Sequence, residues 1–166
     1  MIQPLIDMIK VKKFFELHKI EYVLHEHPAV YTCEEAERYC SDIPGLACKN
    51  LFLRDGKRKR YFLAILPAQK RTDLKKLCSI AGVKKLAFAN TESLRDKLGL
   101  EAGSVSPFGL LNDITGEVEL YVDKDVYSAE TVVFHPNVNT ASFELSRRMF
   151  RKFLQVIDHE VNIVEL

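Results

Sequence analysis

A lysine and an asparagine at the head of an apolar, strand-like run, Gly45-Leu-Ala-Cys-Lys-Asn50, put a cation and an amide where core packing asks for neither. Two further segments share that character. Gly103-Ser-Val-Ser-Pro-Phe-Gly109 has two glycines and a proline that shape its backbone for close approach to a ligand. Phe134-His-Pro-Asn-Val-Asn-Thr-Ala141 is rich in side chains that hydrogen-bond planar or hydroxylated ligands. Each also has a plain structural reading: a solvated strand end, an ordinary turn, and a loop held by Asx turns.

Other chemistries are less well supported. The chain has no G-x-S-x-G elbow, P-loop, G-x-G-x-x-G or H-E-x-x-H pattern, so the usual hydrolase, nucleotide-binding and zincin signatures are missing. Cys48 adjoins Lys49, and a cation that close lowers a thiol pKa, but neighbouring strand side chains point to opposite faces. A plain strand cysteine is therefore the simpler expectation at Cys48. His25 and His27 would share a strand face and could hold a metal, yet no third ligand stands at a readable spacing, so surface or core histidines are the simpler expectation.

The elements that must position these residues are legible from periodicity and capping. Ile6, Ile9, Phe14 and Leu17 recur at near-helical spacing and predict an amphipathic helix ending about His18, followed by a short strand from Tyr22 to His25. Thr32-Cys-Glu-Glu35 is a capping box that starts a helix of two or three turns, ending before Pro44-Gly45. Ala47–Leu53 and Tyr61–Leu66 read as a hairpin across Asp55-Gly56 and the basic cluster Lys57-Arg-Lys-Arg60. Thr72 and Thr91 are expected caps of helices carrying Leu74, Leu77 and Cys78, and then Leu94 and Leu98, the second stopped by Gly99; Lys85–Ala89 is a strand between them. Further strands are expected at Phe108–Leu111, Glu117–Val122, Thr131–His135 and Thr140–Leu145. A last helix begins at Ser146 with Met149, Phe150, Phe153 and Leu154 on its apolar face. Clustered strands predict an α+β fold: a single compact domain over residues 1–166, with a mixed or antiparallel β-sheet packed by helices.

Composition sets the outer bounds. At 166 residues, 47% hydrophobic and 28% charged, the chain has enough apolar material for a core and is neither disordered nor low in complexity. No apolar run approaches the roughly 20 residues that span a bilayer, and Pro4 and Asp7 interrupt any signal-like stretch, so a soluble, cytosolic protein is expected. Its four cysteines, Cys33, Cys40, Cys48 and Cys78, form no C-x-x-C pair and read as free thiols. Net charge is only +1, but between Lys49 and Lys85 twelve Lys or Arg face two acids, Asp55 and Asp73. That asymmetry suits a polyanionic partner, although sequence order alone leaves open whether the cations share one face.

Taken together, the unusual segments resemble a known family. His27-Pro28, Lys49-Asn50-Leu-Phe-Leu-Arg-Asp55, Leu66-Pro-Ala68 with Lys70-Arg71 and Asp73-Leu74, Gly103-Ser-Val-Ser-Pro-Phe-Gly-Leu110, Asn112-Asp113 and Phe134–Ala141 are similar to the YbaK and prolyl-tRNA-synthetase-associated editing superfamily. The Phe-His-Pro-Asn string and the Gly-Ser-x-x-Pro-Phe-Gly loop resemble its ProX or PrdX branch, which deacylates alanyl-tRNA(Pro); the lysine is shared across the superfamily.

The resemblance implies a YbaK-like fold and hydrolysis of a mischarged aminoacyl ester. Lys49 matches the family's essential lysine, and with His135 it is the expected catalytic pair; Asn50 is the pocket residue beside them. Gly103, Ser104, Val105, Ser106 and Pro107 correspond to the backbone that holds the ester carbonyl and aminoacyl group. Hydrolysis in the family is substrate-assisted, through a hydroxyl of the terminal adenosine, with no metal or other cofactor. The expected partners are tRNA(Pro) charged with alanine and prolyl-tRNA synthetase, with no membrane. Lys57, Arg58, Lys59, Arg60, Lys70 and Arg71, with Lys75 and Lys76, are then read as tRNA backbone contacts. Cysteinyl-tRNA(Pro) as substrate and a non-catalytic tRNA- or synthetase-binding module remain open alternatives.

Overall fold

One long strand organises the sheet. The computed structural model describes the backbone of residues 2–166 and the side chains of residues 7–166 apart from Cys33. In chain order the elements are α1 (Ile2–Leu17), β1 (Val23–Glu26), α2 (Cys33–Cys40), β2 (Leu46–Asp55), β3 (Tyr61–Pro67), α3 (Leu74–Ala81), β4 (Leu86–Phe88) and α4 (Thr91–Leu98). A 3₁₀ helix (Pro107–Asn112), β5 (Val118–Asp123), α5 (Lys124–Ser128), β6 (Thr131–Phe134), β7 (Ala141–Ser146), α6 (Arg147–Val156) and β8 (Val161–Val164) follow. The strands form one eight-stranded sheet in the order β1-β7-β6-β2-β3-β5-β8, with β4 added to β2. It is mixed: β2–β3, β2–β4, β1–β7 and β6–β7 are antiparallel, while β2–β6, β3–β5 and β5–β8 are parallel. The expected α+β architecture is therefore present.

On one edge β2 pairs with β3 from Cys48 opposite Pro67 to Arg54 opposite Tyr61. Its other edge is shared. β6 takes only Leu46 and Ala47, opposite Val132 and Val133, and β4 takes Leu53 to Asp55. From Lys49 to Leu51 that edge has no strand beside it, so β2 and β6 splay apart where the Lys-Asn pair stands. Gly45 makes the approach before the splay: its φ is +115°, and a Cβ there would lie 2.8 Å from Thr131 Cγ2 and 3.1 Å from the Thr131 carbonyl oxygen.

β3 is buried on both faces, as its unbroken apolar run requires. Phe62, Ala64 and Leu66 pack with Leu77 and Ala81 of α3 on one side. Leu63 and Ile65 enter the larger core on the other, with Phe15, Phe108, Phe143 and Phe153. Ser146 caps α6 by accepting from the Met149 N–H, and Met149, Phe150, Phe153 and Leu154 are all buried, as the periodicity predicts. Both halves of the Thr32–Glu35 capping box are formed.

Several expectations need correction. Phe108–Leu111 is not a strand: Pro107 opens a 3₁₀ helix and the Ser106 hydroxyl accepts from the Phe108 N–H, so the segment curls instead of joining a ladder. On α1 the buried face is Val11 and Phe15, with Met8 and Phe14 partly covered, whereas Ile9 and Leu17 are exposed. Ile6 lies outside the described side chains. The caps of α3 and α4 are Asp73 and Asn90, each beside the expected threonine; both accept from the third helical N–H. α5 and β8 carry too short a pattern to be read from sequence.

Candidate active site

Where β2 and β6 part, the chain leaves a cleft of about 240 Å³. Lys49 and Asn50 reach it from β2, and His135 from the residue after β6. Gly103 and Val105 form one wall; Val30, Tyr31 and Thr32, with Ala36 and Cys40 of α2, form another, and Ala47, Ala68 and Val133 add small apolar surface. This volume falls below the roughly 300–1,000 Å³ usual for small-molecule pockets, so the cleft suits a small group and part of what carries it.

The polar groups in the cleft are held differently. Lys49 Nζ donates to the backbone carbonyl of Lys70 at 2.5 Å, a neutral partner that an incoming anion can replace. Lys70 is itself fixed: its ammonium lies 2.9 Å from Asp123 Oδ2 and 3.1 Å from Asp125 Oδ2. Asp123 is fully buried and also accepts from the N–H groups of Asp125 and Leu166. A buried carboxylate thus sets the turn whose carbonyl catches Lys49. Beside it, Asn50 Oδ1 is buried without a hydrogen-bond partner among the described residues. Such a group costs roughly 1–3 kcal/mol while it stays unpaired.

His135 Nδ1 donates to the carbonyl of Ala141 at 3.0 Å, which fixes the tautomer and leaves the Nε2 lone pair. Burial holds its pKa below the ordinary histidine value; the Ala141 carbonyl opposes that shift, and the nearby His27 adds to it. The two rings stand edge to face, 5.8 Å between centroids. A neutral, oriented imidazole is the result. Cys48 is the reverse case. Burial pushes its thiol up to about 12, with the charge of Asp123 adding and a backbone hydrogen bond to Val133 opposing, which disfavours the thiolate.

The cleft brings together Lys49, Asn50, His135, Gly103 and Val105 from the predicted set. Ser104, Ser106 and Pro107 do not line it. Ser106 is fully buried behind the wall, donating to Asn137 Oδ1 at 2.8 Å, and so ties the Gly103–Gly109 loop to the Phe134–Ala141 loop. Asn139 does the same for the chain before α2, accepting from the Val30 N–H and donating to the Val30 carbonyl. The two unusual loops brace each other and the mouth. His25 and His27 engage Glu144 and Ser142, both at 2.8–2.9 Å.

The basic residues are less uniform than their clustering suggests. Lys57, Arg58 and Lys59 are exposed on the β2–β3 turn, braced by Asp55, which accepts from the N–H groups of Lys59 and Arg60. Arg60 is committed elsewhere, forked on Glu119 at 2.7 and 2.8 Å and lying over Phe62. Lys70 is bound to its two aspartates, while Arg71 is exposed. Sequence reasoning missed Tyr31, Thr32, Ala36 and Cys40; the capping box locates their helix, but nothing local says that it flanks the cleft.

The pattern of the aminoacyl-tRNA editing domain matches residues 27–153, a span that includes every cleft residue named above. This chain belongs to the aminoacyl-tRNA editing family. It is accordingly a hydrolase of the aminoacyl-tRNA deacylase type. A curated relative, prolyl-tRNA editing protein ProX of Acetoanaerobium sticklandii, is 40% identical over 156 residues, covering 94% of each chain. Prolyl-tRNA synthetase associated domain-containing protein 1 of Mus musculus is 33% identical over 139 residues, covering 81% of this chain and 82% of its own. Among solved structures, a protein described as a candidate trans-editing enzyme for prolyl tRNA synthetase superposes with a TM-score of 0.72 at 22% identity, covering 96% of this chain and 97% of the other, a likeness of fold. Among the described residues no helix is long and apolar enough to cross a membrane.

Proposed function

We propose that this editing-family protein acts in trans, in the cytoplasm, on tRNA(Pro) mischarged with alanine, and hydrolyses the ester that joins alanine to the terminal ribose. The observation that carries the reading is the buried, unpaired Asn50 Oδ1 in a small cleft beside Lys49 and His135. A primary amine on a small amino acid satisfies it. Prolyl esters have one fewer N–H and a ring where alanine has a methyl. A synthetase gains only about 1–3 kcal/mol by sensing missing methylenes, so a second, smaller sieve has a reason to exist.

Each group then has a role. Water adds to the ester carbonyl carbon; the resulting oxyanion faces the Lys49 ammonium and backbone N–H groups of the Gly103–Val105 wall. Collapse breaks the carbonyl–ribose oxygen bond, the ribose oxygen takes a proton, and alanine leaves free. His135 Nε2 accepts from the terminal ribose hydroxyl and orients it toward the water, which is substrate assistance. Because an aminoacyl ester is already activated, positioning and a few aimed donors suffice, and the mechanism calls for no metal. The exposed Lys57, Arg58 and Lys59 stand on the turn just past the end of β2 at Asp55, which is six residues and about 20 Å at strand rise from Lys49, a suitable distance for acceptor-stem phosphates. Arg71 is exposed and follows Lys70, whose carbonyl holds Lys49. Arg60 and Lys70 support these contacts by holding the turns that present them. Prolyl-tRNA synthetase, which releases the mischarged product, is the natural partner.

The direct test is Lys49→Ala. Removing one oxyanion donor should lower kcat/KM for alanyl-tRNA(Pro) about 100- to 1,000-fold. The thermal midpoint should hold, since Lys49 gives up only one hydrogen bond to a carbonyl. Undiminished hydrolysis by the variant would remove Lys49 from the mechanism.

A further inference from the structure

Tyr31 presents an aromatic face at the mouth of the cleft that the chemistry of ester hydrolysis leaves unused. Its residue is 71% exposed although it lines the cleft. Its backbone is nonetheless locked. The Tyr31 N–H donates to Glu35 Oε2 at 2.7 Å, the same carboxylate that takes the Thr32 N–H in the capping box, and Val30 before it is paired in both directions with Asn139. The ring lies beside Gly103: a Cβ built there would be in ordinary contact, 3.6 Å from Tyr31 Cδ1, and it is the φ of +86° that calls for glycine in this wall. A large ring on a fixed backbone, exposed at the rim of the cleft that Lys49, Asn50 and His135 also line, is a stacking platform. Tyrosine loses little conformational freedom in that task.

We propose that Tyr31 is the subsite for the terminal nucleobase of the substrate, stacking on the adenine while the aminoacyl group enters the cleft. The inference rests on the aminoacyl-ester reading of the same site and adds the recognition of its leaving group. Every base has a π-face, so the contact contributes affinity and orientation without reading sequence. It also answers a geometric need: a cleft of about 240 Å³ holds the small acyl group and its ribose attachment, and the base must lie outside it.

Two measurements test this. In the first, kcat and KM for alanyl-tRNA(Pro) are compared with those for the alanyl ester of methyl ribofuranoside, which keeps the neighbouring ribose hydroxyl and has no base. Tyr31→Ala should raise KM for the tRNA ester by roughly 5- to 150-fold, the range of one lost base-stacking contact. The same variant should leave hydrolysis of the base-free riboside ester unchanged, and Tyr31→Phe should retain the native KM. In the second, adenosine 5′-monophosphate is titrated against the wild-type protein with the tyrosine ring resonances observed, ribose 5-phosphate serving as control. The nucleotide should shift the Tyr31 ring signals and the sugar phosphate should not. Equal KM values for wild type and Tyr31→Ala, or equal loss on both esters, would overturn the inference. If the wild-type protein hydrolyses no aminoacyl ester, the proposed activity fails by itself. The titration then decides: a base-dependent Tyr31 shift upholds a nucleobase subsite, and an unmoved ring refutes it.

Discussion

Removing the Asn50 amide should make the protein no less stable while making it a worse enzyme, and the two effects can be sized separately. Asn50 Oδ1 is buried and unpaired, so Asn50→Ala relieves a penalty of about 1–3 kcal/mol. Against this stands the packing of the lost Cβ substituent, on the order of one methylene or about 0.8 kcal/mol, with no closed cavity because the side chain lines an open cleft. The balance runs from about neutral to about 2 kcal/mol stabilising, a rise in Tm of roughly 0–8 °C for a domain of this length. An amide can be turned end for end, and alanine removes both ends, so the result is independent of that orientation. Activity moves the other way. Loss of an acceptor for the substrate amine, a charge-assisted bond of about 1.5–3 kcal/mol, should lower kcat/KM for the alanyl ester roughly 10- to 150-fold. Thermal unfolding and single-turnover deacylation on the same preparation provide the assay. A Tm lowered by several degrees with native kcat/KM would refute the reasoning, because Asn50 would then be a structural residue.

Three more outcomes follow from the geometry. Lys70→Met strips the buried Asp123 of its ammonium partner and should cost about 1–3 kcal/mol, less than a fully buried pair because Lys70 is partly solvated, whereas Lys57→Met should leave Tm unchanged; equal Tm values for both variants would deny Asp123 its dependence on Lys70. Since burial lowers the His135 pKa from 6.5, the neutral ring should persist below that pH, and the acid limb of the pH–rate profile should have its midpoint under 6.5. The unfolded chain takes up this proton first, so stability conferred by His135 is complete above 6.5 and declines as pH falls through 6.5 toward the lower folded value; an acid limb centred above 6.5 would contradict the neutral-ring role. Cys48→Ala should retain hydrolysis within about threefold, because a thiol held near 12 supplies no thiolate at neutral pH, and a loss of several orders of magnitude would restore the thiol mechanism.

What the sequence could reveal depended on how local the cause was. The Thr32–Glu35 capping box, the Ser146 cap with its four apolar residues, and the β2–β3 hairpin are each specified within about twenty residues of chain, and all are found. Lys49, Asn50 and His135 were conspicuous because their polarity breaks apolar runs, and they do share one cleft. The misses are contextual. Ser106 and Pro107 look like ligand-binding loop residues until the buried bond to Asn137 shows them bracing the wall from behind. Arg60 and Lys70 counted toward a basic patch, yet Glu119, Asp123 and Asp125, between about 50 and 60 residues further on, claim their charges. The α1 face failed for the same reason: its many apolar residues fit more than one stripe, and only the core selects Val11 and Phe15.

The central claim is that the β2–β6 cleft sorts aminoacyl esters by size and by their amine. It is tested most directly by measuring single-turnover hydrolysis of tRNA(Pro) charged separately with alanine, cysteine, serine and proline. The account predicts rapid loss of alanine with proline spared. Faster release of cysteine than of alanine, or hydrolysis of the prolyl ester at a comparable rate, would contradict it.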